Sequence, residues 1–180
     1  MANCPKCPNS ELRHTLLMDD LPAYGCSSCD GLLLSLMMYR HWRETESVHL
    51  SESPTADLTA MVADRHEPIK CPRCRSLMTK YRISADIPNR VDYCAHCEDI
   101  WFDPGEWKCV EAIARSGHLA EIFGRPWQRQ IHRKISEEME TQRLKELLGS
   151  DYGKFADFRE WFQSHPNRGR LLALLSRKRV

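Results

Sequence analysis

The chain has 180 residues, 42% of them hydrophobic, and 26 lysines and arginines against 25 acids, for a net charge of +1. That length suits one medium domain or two to three small ones, and no apolar run approaches the roughly 18 residues of a membrane span. The near-neutral total hides a gradient: residues 1–70 sum to −4, 71–110 to 0 and 111–180 to +5.

In chain order, residues 1–36 form a first unit. It opens on Cys4-Pro-Lys-Cys7, where a leader's charged and apolar regions would otherwise stand, so no signal peptide is expected. Two extended stretches, 12–18 and 21–25, flank the turn formers Asp19-Asp20 and read as a hairpin. A second knuckle, Cys26-Ser-Ser-Cys29, follows, and then an apolar third strand at Leu32, Leu33 and Leu34. Residues 37–68 read as a linker. Met37, Met38 and Trp42 suggest a short helix, 51–55 with Pro54 a loop, and 56–65 a further helix before Pro68.

Residues 69–117 repeat the first unit. Cys71-Pro-Arg-Cys74 opens it, stretches 77–83 and 90–93 flank Pro88-Asn89, and Cys94-Ala-His-Cys97 precedes a strand at Ile100, Trp101 and Phe102. Asp103, Pro104 and Glu106 then spell N-cap, first helical residue and capping box. A helix is expected over 104–116, with Trp107, Val110, Ile113 and Ala114 on its apolar face and a stop at Gly117.

Residues 118–180 read as a helical C-terminal region with a basic tail. Trp127, Ile131, Ile135 and Met139 recur every four residues along a helix over 127–148 that stops at Gly149. This narrow stripe suits packing on one partner helix or on a cysteine unit, and offers a face for self-association. Phe158, Trp161 and Phe162 mark another helix over 157–164, broken at His165-Pro166. A short apolar helix over 171–175 follows. It is read as packing on the 127–148 helix, or else as an amphipathic docking segment.

Eight of the nine cysteines thus form two quartets, Cys4, Cys7, Cys26, Cys29 and Cys71, Cys74, Cys94, Cys97, with 18 and 19 residues between the pairs. A Cys-x-x-Cys turn aims two sulfurs at one ion, and a hairpin returns the second pair to complete a tetrahedral set. Two Zn2+ ions are expected. Four thiolates leave no open position for water or substrate, so the sites are structural and the chain is expected to be neither an enzyme nor a binder of a small-molecule substrate. Thiolates held by zinc and not paired in disulfides fit a reducing, cytoplasmic setting. Thiol redox chemistry is the remote alternative: it needs one pair in a βαβ context, and there are four. Cys109 reads as a buried apolar side chain.

The second unit, with Cys71, Cys74, Leu77, Cys94, Cys97, Trp101, Asp103, Gly105 and Glu106, resembles the zinc ribbon related to that of transcription factor IIB, as found in small bacterial proteins. Asp99 stands where that motif usually has glycine. The first unit keeps Gly31 but has Leu33 and Ser35 at the tryptophan and aspartate positions. The resemblance implies a small α+β fold of two Cys4 zinc ribbons, each a three-stranded antiparallel sheet, and favours a partner in transcription or other nucleic-acid machinery.

Candidate nucleic-acid contacts are Arg73, Arg75, Lys80, Arg82 and Arg90 around the second unit's first knuckle and hairpin, and Arg168, Arg170, Arg177, Lys178 and Arg179 in the tail. The expected function is that of a zinc-binding adaptor or regulator docking on protein, nucleic acid or both. The alternative is a protein scaffold working through its C-terminal helices alone, with Trp127, Ile131, Ile135 and Met139 as its interface.

Overall fold

The computed structural model describes residues 2–45 and 67–177. The expected loop over 51–55 and helix over 56–65 lie outside the described residues, as do Lys178 and Arg179. The chain divides into two compact units, Met1–Lys134 and Ile135–Val180.

The first unit is built on one six-stranded antiparallel sheet. The strands are β1 (Arg13–Leu16), β2 (Pro22–Gly25), β3 (Leu32–Ser35), β4 (Thr79–Arg82), β5 (Arg90–Cys94) and β6 (Asp99–Phe102), in the spatial order β1-β2-β3-β6-β5-β4. The two triplets are therefore not separate sheets, as the sequence reading had them. β3 and β6, the third strands of the two repeats, pair edge to edge, with Leu33 opposite Trp101 at the centre. Pairing the two exposed edges satisfies backbone groups that separate ribbons would leave to water.

The repeat makes this junction a pseudo-twofold. Leu33 and Trp101 hold equivalent places and face each other. Leu34 faces Ile100 and Leu32 faces Phe102, so each rung is matched by its counterpart. The hairpins obey the same relation: Arg13 pairs Gly25 as Thr79 pairs Tyr93.

Alternation along the strands sorts side chains to two faces. On one, Ala23, Leu34, Val91, Ile100 and Phe102 pack beneath helices α1 (Leu36–Thr45) and α2 (Glu106–Arg115). Leu36, Tyr39 and Trp42 are the buried side of α1, one helical turn apart, whereas Met37 and Met38 face solvent. The Tyr39 hydroxyl donates to the Ala114 carbonyl at 2.7 Å, and Arg43 Nη1 donates to the Arg115 carbonyl at 3.2 Å. The first repeat's helix thus caps the second's. On the other face Leu33 and Trp101 join Leu12, Ile69, Met78 and the cysteines.

Helix α2 starts two residues later than its sequence suggested. Gly105, at φ 86°, is the N-cap, and Pro104-Gly105 form a turn before the helix. The helix ends as expected: the Gly117 amide donates to Ala114 and the His118 amide to Ile113, with Gly117 at φ 91°. A 3-10 turn at Leu119–Phe123 follows, with Leu119 and Ile122 fully buried. It leads into α3 (Arg125–Leu148). The start of α3 is held down by Trp127 Nε1 donating to the Ile83 carbonyl (3.1 Å), by Gln128 Nε2 donating to the carbonyls of Arg82 and Ile122 (2.8 Å each), and by buried Ile131.

The second unit consists of the rest of α3, a 3-10 turn at Gly149–Asp151, α4 (Tyr152–Ser164) and α5 (Arg168–Leu175). Its rings lie together along one helix: Phe158 is 5.7 Å from Trp161 and 5.8 Å from Phe162, centre to centre. No residue of α4 or α5 is buried. Whatever the 171–175 helix packs on, Leu172, Leu174 and Leu175 are left exposed.

Candidate metal centres

Each quartet is assembled by two knuckles at the ends of one hairpin. In the first, Cys4 precedes β1 while Cys26 and Cys29 follow β2. The Cys4 amide is fixed by the Ser10 carbonyl, and the Lys6 and Cys7 amides approach Cys4 Sγ at 3.4 and 3.3 Å. In the second, the Cys71 amide is fixed by the Ser76 carbonyl. Three knuckles close on a non-glycine residue with positive φ: Asp30 (57°), Arg75 (65°) and Glu98 (56°). Each donates its amide back to the first cysteine's carbonyl, Cys26, Cys71 or Cys94, at 2.9 Å.

The eight sulfurs form two groups, and within each all lie within 4.8 Å of one another. Cys4 Sγ is 3.7 Å from Cys29 Sγ, and Cys74 Sγ is 3.5 Å from Cys94 Sγ. Bonds of about 2.3 Å from a tetrahedral ion to sulfur demand sulfur separations of about 3.8 Å. The geometry therefore fits one four-coordinate ion in each group. None of the cysteines is in a disulfide. Cys4, Cys26, Cys71 and Cys94 are buried and the other four half-buried, so no sulfur is freely presented for chemistry.

The electrostatics of the donor set point the same way. Burial resists ionisation of Cys26, but the Ser28 and Cys29 amides and the neighbouring thiols bring it down to about 7. The Ser76 hydroxyl and amide bring Cys74 down to about 6. Burial pushes Cys29 up to about 12 and Cys71 up to about 11. In each group one thiolate forms readily while two others, Cys4 and Cys29 in the first and Cys71 and Cys97 in the second, resist because they are buried. A divalent cation is what lets all four ionise together.

Basic and acidic side chains bind the knuckles to the sheet. Lys6, between Cys4 and Cys7, forms an ion pair with Asp103, which also accepts from Trp101 Nε1 at 2.9 Å. Arg73, at the equivalent place in the second repeat, has Nε 3.1 Å from Asp99 Oδ2. Sequence reasoning missed this use of Asp103, whose side chain ties the first knuckle to the second repeat instead of capping α2. Only the return half of the capping box forms: the Asp103 amide donates to Glu106 Oε2 at 2.8 Å. Burial pushes the Glu106 carboxyl up to about 8.

The proposed nucleic-acid residues separate into different environments. Lys80 is 14% exposed and its ammonium sits 2.8 Å from the fully buried Asp92, so it serves an internal pair and is not a surface contact. Arg73 is half-exposed and shared with Asp99. Arg82 and Arg90 are half-buried and Arg75 is exposed. Arg168, Arg170 and Arg177 are exposed in the second unit. Of the expected helix interface, Ile131 is buried and Trp127 half-buried within the first unit, whereas Met139 is exposed in the second.

Cys109 is buried on the core face of α2, and burial pushes its thiol up, as suits a packing residue. Among the described residues no helix is long and apolar enough to cross a membrane. No family model, curated protein or solved structure matches the chain.

Proposed function

We propose that this chain is a zinc-binding adaptor: two structural zinc ions staple the first unit, and the second unit docks on a macromolecular partner. Zinc is favoured over other ions by the all-thiolate, four-coordinate donor sets. A closed Cys4 set offers no position for substrate, so the chain works by binding and not by catalysis.

The observation that carries the docking role is the second unit's lack of burial. Trp161 is 50% exposed, Leu172 57% and Leu175 66%, on helices without a buried residue. Large exposed apolar side chains, here on two successive helices, mark an interaction site. Such surface is matched by protein, which supports a protein partner. Arg168, Arg170 and Arg177 on the same segment support a second reading, contact with nucleic acid, and the resemblance to the transcription factor IIB ribbon directs the search first to transcription complexes.

The test compares zinc-loaded full-length protein with Trp161→Glu/Leu172→Glu and with Arg168→Gln/Arg170→Gln. Protein docking predicts crosslinked partners that survive high salt and vanish in the first variant alone. Nucleic-acid docking predicts anisotropy changes with DNA or RNA that fall steeply with salt and weaken in the second. A full-length protein that captures neither class of partner sinks the adaptor reading.

A further inference from the structure

The second unit, Ile135–Val180, has no core of its own. The buried residue of α3 is Ile131, which belongs to the first unit, and α4 and α5 bury none. Met139 and Leu147 on α3 are 68% and 76% exposed, and Leu172, Leu174 and Leu175 on α5 are exposed as well. Helices of 13 and 8 residues, the lengths of α4 and α5, are marginal in water unless packing supports them. That support has to come from outside the unit.

The shape of α5 narrows what supplies it. Leu171, Leu172, Ala173, Leu174 and Leu175 follow one another in steps of about 100° around the axis, so the helix is apolar on every side. A helix apolar all round is one that is enclosed. A lipid or nucleic-acid surface meets one face of a helix, whereas packed protein can surround it.

Charge says which protein. Residues 135–160 carry seven acids and four bases, a net −3, and residues 161–180 carry five bases and no acid, a net +5. Arg168, Arg170 and Arg177 are exposed, and among the described residues none of them meets an acid. Glu138, Glu140 and Glu146 on α3 are exposed too. A basic helix and an acidic helix, both open to solvent in one chain, are complementary between two copies of that chain.

The placement of the charges matches as well. On α5, Arg170, Leu174 and Arg177 share a face, four and then three residues apart. On α3, Glu140 and Glu146 share one side of the helix with Met139 and Leu147. The two charges of each pair stand about 9–11 Å apart along their helix, beside exposed apolar side chains. Arg143 lies on the same side of α3, yet residues 135–148 still hold four acids against two bases.

We propose that the second unit is a dimerisation module, in which α5 of one chain packs on α3 of a second copy and α3 receives α5 in return. A twofold axis makes the contact twice with the same residues. This names a partner for the docking surface already described, and it rests on that reading in taking the exposed leucines as a binding surface.

The test is sedimentation equilibrium of zinc-loaded, full-length protein over a range of concentrations. The wild type is expected to pass from one chain mass to two in the micromolar range, as a small interface allows. Arg170→Glu/Arg177→Glu and Glu140→Lys/Glu146→Lys, each alone, are expected to weaken dimerisation at least about tenfold, because like charges then face each other. An equal mixture of the two restores opposite charges at both contacts and is expected to dimerise again. Leu172→Glu/Leu174→Glu is expected to stay monomeric alone and in every mixture. All variants are compared with the amide dispersion of the first unit retained. A wild type that is monomeric up to about 1 mM, either charge variant dimerising like wild type, or a mixture that stays monomeric would overturn the module. A monomer that still captures other proteins through its helices overturns the dimer and leaves the adaptor reading standing. A dimer that captures nothing else keeps the module and sinks the adaptor reading.

Discussion

Gly31 is small because Trp101 is large. The tryptophan contributes its whole side chain to the core, and it reaches there only because the opposite repeat has no Cβ in its way. Gly31→Ala forces the indole to move within a close-packed core, and we expect a loss of about 2–3 kcal/mol, read as a lower denaturation midpoint of the zinc-loaded protein. At the equivalent position the partner across the sheet is the shorter Leu33, and Asp99 carries a side chain there. The two departures from the motif are thus one complementary pair. Glu106 gives a second prediction at this scale. Its ordinary value is 4.5, and burial raises it to about 8 in the folded state. The folded protein therefore holds a proton that the unfolded chain releases above pH 4.5. This contribution is fully present below pH 4.5 and declines as pH rises toward 8, a loss of about 3 kcal/mol by pH 7. Thiolate ionisation gives zinc binding the opposite slope, so the useful quantity is the difference between wild type and Glu106→Gln. Glutamine keeps the acceptor for the Asp103 amide and cannot ionise. The variant is expected to lose the declining component between pH 4.5 and 8; identical pH profiles would mean that Glu106 is ionised in the fold.

At the scale of elements, α1 and α2 act as a pair. The buried Tyr39 hydroxyl and the Arg43 guanidinium both donate to carbonyls at the end of α2, Tyr39 adding a second donor to the Ala114 carbonyl that the Gly117 amide also reaches and Arg43 reaching the Arg115 carbonyl. Tyr39→Phe is expected to cost about 1 kcal/mol in denaturant unfolding, with both metal ions retained. Individual elements were legible in the sequence where local physics decides them. The strands came within one or two residues, because turn formers and alternation bound them, and the end of α2 was marked by Gly117. The start of α2 was misread because Asp103, a good cap in isolation, is drawn instead to Trp101 and Lys6, residues distant or on another element. The helix expected from Met37, Met38 and Trp42 is α1, but its buried face could not be read from those residues, because Met37 and Met38 are as apolar as the Leu36, Tyr39 and Trp42 that pack. The quartets were legible outright, since their spacing alone brings four sulfurs to one point. The β3–β6 pairing was not, because it depends on Gly31 and Trp101 fitting across a junction that no local pattern announces.

At the scale of the whole molecule, two cysteine quartets with almost the same spacing suggest two independent modules, but the packing argues otherwise. Both quartets belong to one buried cluster with Leu33 and Trp101 at its centre. The first knuckle is tied to the second repeat through Lys6 and Asp103, and the helix of the first repeat is tied to the second through Tyr39 and Arg43. Removing the second repeat's contribution would expose Leu33, empty the space above Gly31 and leave the edge of β3 unpaired. The contacts that make the first site would then no longer offset the chain entropy of its short hairpin, since so small a unit needs more than its own core. Cys94→Ser is therefore expected to cost both ions. The variant should purify with well under one zinc per chain and should lose the dispersed amide signals of residues in both repeats. Independent ribbons predict a different result: one zinc retained and the first repeat's signals unchanged. Chelation of the wild type offers the same test without mutation, because a single sheet predicts that both ions leave in one transition, with the NMR signals of β1–β3 and β4–β6 fading at a common chelator concentration.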